Sequence, residues 1–132
     1  MASIVREFTT AACPNTAWDA ARDFGALHTR LVPGFVVDTK LEPGARIVTF
    51  ANGMVAKELI VDVDDRHRRI AWSAVGGRLS HHNASLTILP NGDGSRLVWQ
   101  ADLLPNELAP AIAQMIDQGC EAMKGALDKL AD

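Results

Sequence analysis

The stretch NELAPAIAQMIDQGCEAMKGALDKL, residues 106–130, decides the fold. Leu108, Ile112, Met115, Ile116, Gly119, Cys120, Met123, Leu127 and Leu130 recur at spacings of three and four, which is one face of an α-helix. Gln114, Asp117, Gln118, Glu121, Lys124 and Asp128 supply much of the wet face. Pro105 and Pro110 place the start near Asn106, and from about Glu107 the helix runs for roughly 20 residues or more, about 30 Å. Such an apolar stripe needs a surface to cover it. Gly119 and Gly125 each cost about 1 kcal/mol relative to Ala in a helix interior. They mark places where a backbone comes close to something, or where space is left open.

The surface for that helix lies upstream. From Phe35 to Leu104 the pattern is one of strands and turns: FVVDTKL, Glu42-Pro43-Gly44, ARIVTF, Asn52-Gly53, MVAKELIVDV, Asp64-Asp65-Arg66, RIAWSAV, Gly76-Gly77, NASLTIL, Asn91-Gly92-Asp93-Gly94 and RLVWQADLL. Asn-Gly between alternating segments is among the stronger short hairpin signals. Six consecutive strands without crossover helices form an antiparallel meander. Residues 3–11 read as a further strand. After Pro14, Asn15 is placed to cap a short helix over TAWDAARDFGAL, broken at Gly25, with Trp18, Ala21 and Phe24 toward the core. The fold class is therefore α+β. A curved antiparallel sheet of about seven strands wraps around the long C-terminal helix, with a short helical segment after strand 1.

Composition limits the function classes. A chain of 132 residues with 48% hydrophobic and 22% charged residues is one globular domain, spanning 1–132. Thirteen basic and 16 acidic residues leave a net charge of −3, against nucleic acid as a partner. The first residues lack the long apolar region of a secretory leader, and no run is long enough for membrane insertion. Cys13 and Cys120 lie far apart without CxxC spacing, which reads as two free, buried thiols of a cytoplasmic protein.

The order strand, helical segment, six strands, long helix resembles the START-like (SRPBCC, helix-grip) superfamily of polyketide cyclases/dehydrases and lipid-transport proteins. The stretches that carry the resemblance are Trp18-Asp19 to Asp23-Phe24, Val32-Pro33-Gly34, Asn52-Gly53, Glu58-Leu59 with Asp64-Asp65, and Trp99 to Asp102. The middle of the chain is also similar to the plant abscisic acid receptors, through Glu58, Asp64-Asp65, Gly76-Gly77 and Asn83. It departs from them where Arg78-Leu79-Ser80 replaces their latch and the Ala51–Met54 loop is shorter than their gate. The resemblance implies a small hydrophobic ligand held between sheet and helix, with Glu58 pointing inward and no cofactor. Alternation then sends Ile60 and Asp62 inward and Lys57, Leu59 and Val61 outward. That leaves two apolar side chains facing solvent, so either a second subunit covers them, as a homodimer, or the parity slips at a bulge.

The candidate ligand-binding residues are Glu58, Trp72, Ala84, Leu86, Ile88 and Gln100 from the strands, as the receptor-like parity implies, and Ile112, Met115, Ile116 and Met123 from the helix, through its period. Glu58 in an apolar cavity can move a proton; paired with a strand neighbour such as Arg46, it is structural instead. His28, after the first helix, is placed to reach the cavity entrance as an acid or base. Asp102 lines the cavity with Gln100 under the receptor-like parity, and is merely solvated if Trp99 packs the core. His81-His82 point to opposite faces and cannot readily chelate one ion, so no metal site is expected. One of the two instead serves as a polar ligand contact near the cavity mouth. Arg66-His67-Arg68-Arg69 reads as a solvated hairpin. Three functions fit these residues. They are a binding or carrier module, a cyclase/dehydratase-type enzyme using Glu58 with His28 or Asp102, and an interaction module docking through its outer sheet face.

Overall fold

The computed structural model describes residues 1–131. Its strands are β1 (Ala2–Thr10), β2 (Val36–Glu42), β3 (Ala45–Phe50), β4 (Val55–Asp64), β5 (Arg69–Val75), β6 (His81–Asn91) and β7 (Gly94–Leu104). They form one seven-stranded antiparallel sheet in the order β1-β7-β6-β5-β4-β3-β2. Tight turns suffice for the meander, and Gly44 and Gly53 take φ of 70° and 90° at two of them, a region open mainly to glycine. β1 pairs with β7 from Ala2 opposite Leu103 to Thr10 opposite Ser95. The α+β helix-grip expectation is the observed fold.

Between β1 and β2 lie helix α1 (Pro14–Ala21), a 3-10 turn at Phe24–Ala26 and a π-helical turn at Leu27–Leu31. Asn15 does not cap α1, because Pro14 already opens the helix and Cys13 precedes it. The Asn15 carboxamide oxygen accepts instead from Arg68 at 2.8 Å. Trp18 Nε1 and Arg22 Nε both donate to Asp65 Oδ1, at 2.9 and 2.8 Å, tying α1 to the β4–β5 turn.

The long helix α2 (Ala109–Leu130) spans 22 residues and follows a 3-10 turn at Asn106–Leu108. Ile116, Met123 and Leu127 are buried and Leu130 is exposed. At Gly119 a Cβ would stand 2.7 Å from Trp99 Cζ3, whereas nothing lies within 4 Å of one at Gly125. Each of the two expected uses of a helical glycine is thus realised once.

The parity of β4 slips. Its register against β5 shifts between Ile60 and Asp62, so Val61 has no cross-strand partner there. Before the bulge, Glu58 is buried and Ile60 half-buried; beyond it Val63 packs on the core. Asp62, expected to face inward with Glu58, is exposed because the extra residue turns it over. Leu59 and Val61 remain on the surface, 39% and 56% exposed.

Candidate functional site

A cavity of about 150 Å³ separates α2 from the middle of the sheet. Val48, Trp72, Leu86 and Trp99 line its sheet side, and Ile112, Met115, Ile116 and Met123 its helix side. Phe35, Phe50, Met54 and Leu79 add apolar side chains from the loops and strand ends. Trp72 meets Trp99 edge to face at 5.9 Å between ring centroids, which holds both rings in the wall.

Three polar side chains with ionisable groups interrupt this lining: Arg46, Glu58 and His82. Register aligns them. Arg46 on β3 stands opposite Glu58 on β4, and Glu58 opposite Ala74 on β5. The β5–β6 ladder stops at Trp72 opposite Ala84, two residues short of Ala74. There the side chain of His82 takes over from the backbone, its Nδ1 accepting the Ala74 N–H at 2.9 Å.

Arg46 Nε donates to Glu58 Oε1 at 2.8 Å, and the two residues are only 4% and 8% exposed. The guanidinium also lies over Phe24 at 5.0 Å and over Trp72 at 5.9 Å from the ring centroids, cation–π contacts that orient it. Burial, reinforced by the charge of His81, lowers the pKa of His82, so its imidazole stays neutral. With Nδ1 accepting, the single ring proton sits on Nε2.

Seven of the expected site residues come together here: Glu58, Trp72, Leu86, Ile112, Met115, Ile116 and Met123. Glu58 lines the cavity and is also paired with Arg46, the strand neighbour expected for it. Ala84 and Ile88 are buried but belong to the packed core and are not cavity walls. Ala84 opposite Trp72 has too short a side chain, and Ile88 opposite Leu97 lies toward the packed end of the sheet.

Gln100 and Asp102 lie on the other face of β7. Leu97, Ala101 and Leu103 are buried on the inner face and Trp99 lines the cavity, so alternation turns Gln100 and Asp102 away from it. His28 is not a cavity residue either, because Thr39 on the edge strand β2 holds its Nδ1 at 3.1 Å. The catalytic candidates Glu58, His28 and Asp102 therefore do not form one site. Of the paired histidines, His82 lines the cavity, while His81 is exposed. Sequence reading named Arg46 only as a pairing partner; its place on the cavity wall follows from the register of β3 against β4.

Both cysteines are free, but neither is fully buried as expected: Cys13 is exposed at the entry to α1 and Cys120 is half-buried on α2. Burial pushes the Cys120 thiol up to about 11, which keeps it protonated and unreactive at neutral pH. Among the described residues no helix is long and apolar enough to cross a membrane.

Over residues 1–132 the sequence matches the family described as polyketide cyclase / dehydrase and lipid transport. No curated protein matches it in sequence. A protein of Bacillus thuringiensis shares its fold with a TM-score of 0.85 at 14% identity, over 96% of this chain and 98% of that one. Norcoclaurine synthase of Thalictrum flavum, in complex with a transition-state analogue, aligns with a TM-score of 0.77 at 20% identity, over 99% and 96%. A START superfamily protein of Mycobacterium smegmatis aligns with a TM-score of 0.73 at 14% identity, over 98% and 96%. At these identities the likeness concerns the fold alone.

Proposed function

Because the chain belongs to the polyketide cyclase / dehydrase and lipid transport family, we propose that it binds a small hydrophobic or amphipathic molecule between the sheet and α2. The observation that carries this reading is the apolar cavity interrupted by the row Arg46, Glu58 and His82. Its volume of about 150 Å³ narrows the ligand. Apolar cavities of about this size hold a single benzene ring, and drug-sized ligands occupy about 300–1,000 Å³. One aromatic ring with a short substituent fits; a full acyl chain requires α2 or the flexible side chains of Met54, Met115 and Met123 to yield. Native mass spectrometry of the freshly purified protein should show a bound small mass released on denaturation. Repeated empty spectra, together with no binding across a panel of one- and two-ring compounds, would remove the reading.

Binding without chemistry is favoured over cyclase/dehydratase catalysis because His28 and Asp102 lie outside the cavity that Glu58 enters. Glu58→Gln separates the two. A carrier loses affinity and returns its ligand unchanged, whereas a proton-transfer enzyme loses about 10²–10⁴-fold in turnover with binding largely intact. The interaction reading has one observation of its own: Val55, Leu59, Val61 and Val75 are 63%, 39%, 56% and 41% exposed. A homodimer covering such side chains is the form we propose for it, in a reducing, cytoplasmic setting consistent with two free cysteines. Sedimentation giving a single species near 14 kDa at high micromolar concentration would exclude that dimer.

A further inference from the structure

We propose that the terminal nitrogens of Arg46, with His82 Nε2, hold a neutral oxygen acceptor on a one-ring aromatic ligand, and that this site discriminates against carboxylates. The proposal rests on the ligand-cavity reading above and adds the chemistry of the ligand's polar end. Arg46 carries five N–H donors, and only Nε–H is used, on Glu58 Oε1. Among the described residues the other four have no protein partner. Among the described residues no fully buried side-chain nitrogen or oxygen lacks a hydrogen bond, so the terminal nitrogens reach open space. The residue is 4% exposed and forms part of the cavity wall, so that space is the cavity.

The charge balance selects what those donors accept. Glu58 neutralises Arg46 across 2.8 Å, and His82 is uncharged, so the row as a whole is neutral. A carboxylate entering it would leave one net negative charge in an apolar enclosure, next to the Glu58 carboxylate. Its desolvation would oppose the attraction of a cation that is already paired. A carbonyl or ether oxygen brings no charge to desolvate and still gains charge-assisted bonds from the guanidinium. Phe24 and Trp72 already orient that guanidinium, which reduces the ordering cost of each new bond. His82 Nε2–H, its ring anchored through Nδ1 to Ala74, offers a second donor from the same row.

The experiment titrates acetophenone, benzoate and ethylbenzene into the whole protein near pH 7.5. Fluorescence of the wall residues Trp72 and Trp99 reports binding, with saturation-transfer NMR as a second readout. The same series is run on the double variant Arg46→Met/Glu58→Leu, which removes the pair without stranding one charge. In the unaltered protein acetophenone should bind at least about tenfold tighter than benzoate. In the double variant acetophenone should weaken about tenfold or more, with ethylbenzene within about threefold of its original affinity. Benzoate binding as tightly as acetophenone, or acetophenone unaffected in the double variant, overturns the proposal while leaving the cavity reading intact. Should none of the three bind, ethylbenzene included, the cavity reading falls and this proposal with it. If the double variant does not fold, the order of acetophenone and benzoate in the unaltered protein decides.

Discussion

The two ends of the space under α2 are built differently. At one end Leu127 from the helix and Leu97 and Ile88 from the sheet are 0–1% exposed, and Thr10 Oγ1 donates to Asp128 Oδ1 at 2.6 Å to pin the helix to β1. At the other end Ile112 and Met115 are only half-buried, the sheet bulges at Val61, and a buried ion pair stands where the packed end has leucines. One helix and one sheet thus make a solid core and a hollow one. The hollow end needs charge neutrality and well-anchored aromatic rings because it lacks dense packing.

The largest expected effect is at the hollow end. Arg46→Met leaves Glu58 buried without its partner and should cost about 3–5 kcal/mol in denaturant unfolding. The double variant Arg46→Met/Glu58→Leu should recover most of that loss. If the single variant costs no more than the double one, the two residues are not coupled and the neutrality argument fails.

Packing gives the next contrast. Leu127→Ala at the solid end should cost about 2–5 kcal/mol, since no open space adjoins it to soften the truncation. Met115→Ala, already facing the cavity, should cost about 1 kcal/mol or less. Equal losses at the two positions would mean that the hollow end is as densely packed as the other.

The helical glycines sharpen the comparison further. Gly119→Ala drives a methyl toward Trp99 and should destabilise by about 1–3 kcal/mol. Gly125→Ala meets open space and should stabilise by about 0.4–1 kcal/mol. Thermal unfolding of the two variants should therefore move in opposite directions, and a common direction would contradict the close approach at Trp99.

The smallest effects are in pH dependence, where the two ends differ in window but not in sign. Burial lowers the pKa of His82, so the unfolded chain takes up the proton first as pH falls below about 6.5. Stability from the neutral imidazole is full above that value and declines as pH drops toward the folded pKa. Asp128 is held below the ordinary carboxylate value, chiefly by the Thr10 hydroxyl, so its contribution is full above that value and lost as pH falls through its lower folded one. Asp128 is substantially exposed, which keeps its effect small. Unfolding measured from pH 8 to pH 2 should lose the upper slope in His82→Gln and show only a shallower lower one in Asp128→Asn, because Asp64 and Asp65, held low by His67 and Arg22, keep the rest. An upper slope that persists in His82→Gln would assign it to another group.

Most of the architecture was legible in local patterns. The period of Ile112, Met115, Ile116, Met123 and Leu127 announced the helix, and Asn52-Gly53 and Asn91-Gly92 announced two of the hairpins, because periodicity and turn chemistry are properties of neighbouring residues. The helical wall of the cavity followed from the same period. The strand wall was harder to read. Trp72 and Leu86 reach the cavity while Ala84 and Ile88 do not, and that depends on side-chain length and on position along the sheet.

What the sequence by itself determined is the set of elements, their order and the apolar face of α2. Tertiary structure alone decided the face of β7, where packing of Leu97 and Trp99 sent Gln100 and Asp102 outward, and the bulge at Val61 that exposed Asp62. It also decided the alignment of Arg46, Glu58 and His82 in one row, although positions 46 and 82 are 36 residues apart. Alternation in a strand has two equivalent phases, and a single inserted residue exchanges them. Only packing against the rest of the molecule makes one phase lower in free energy than the other.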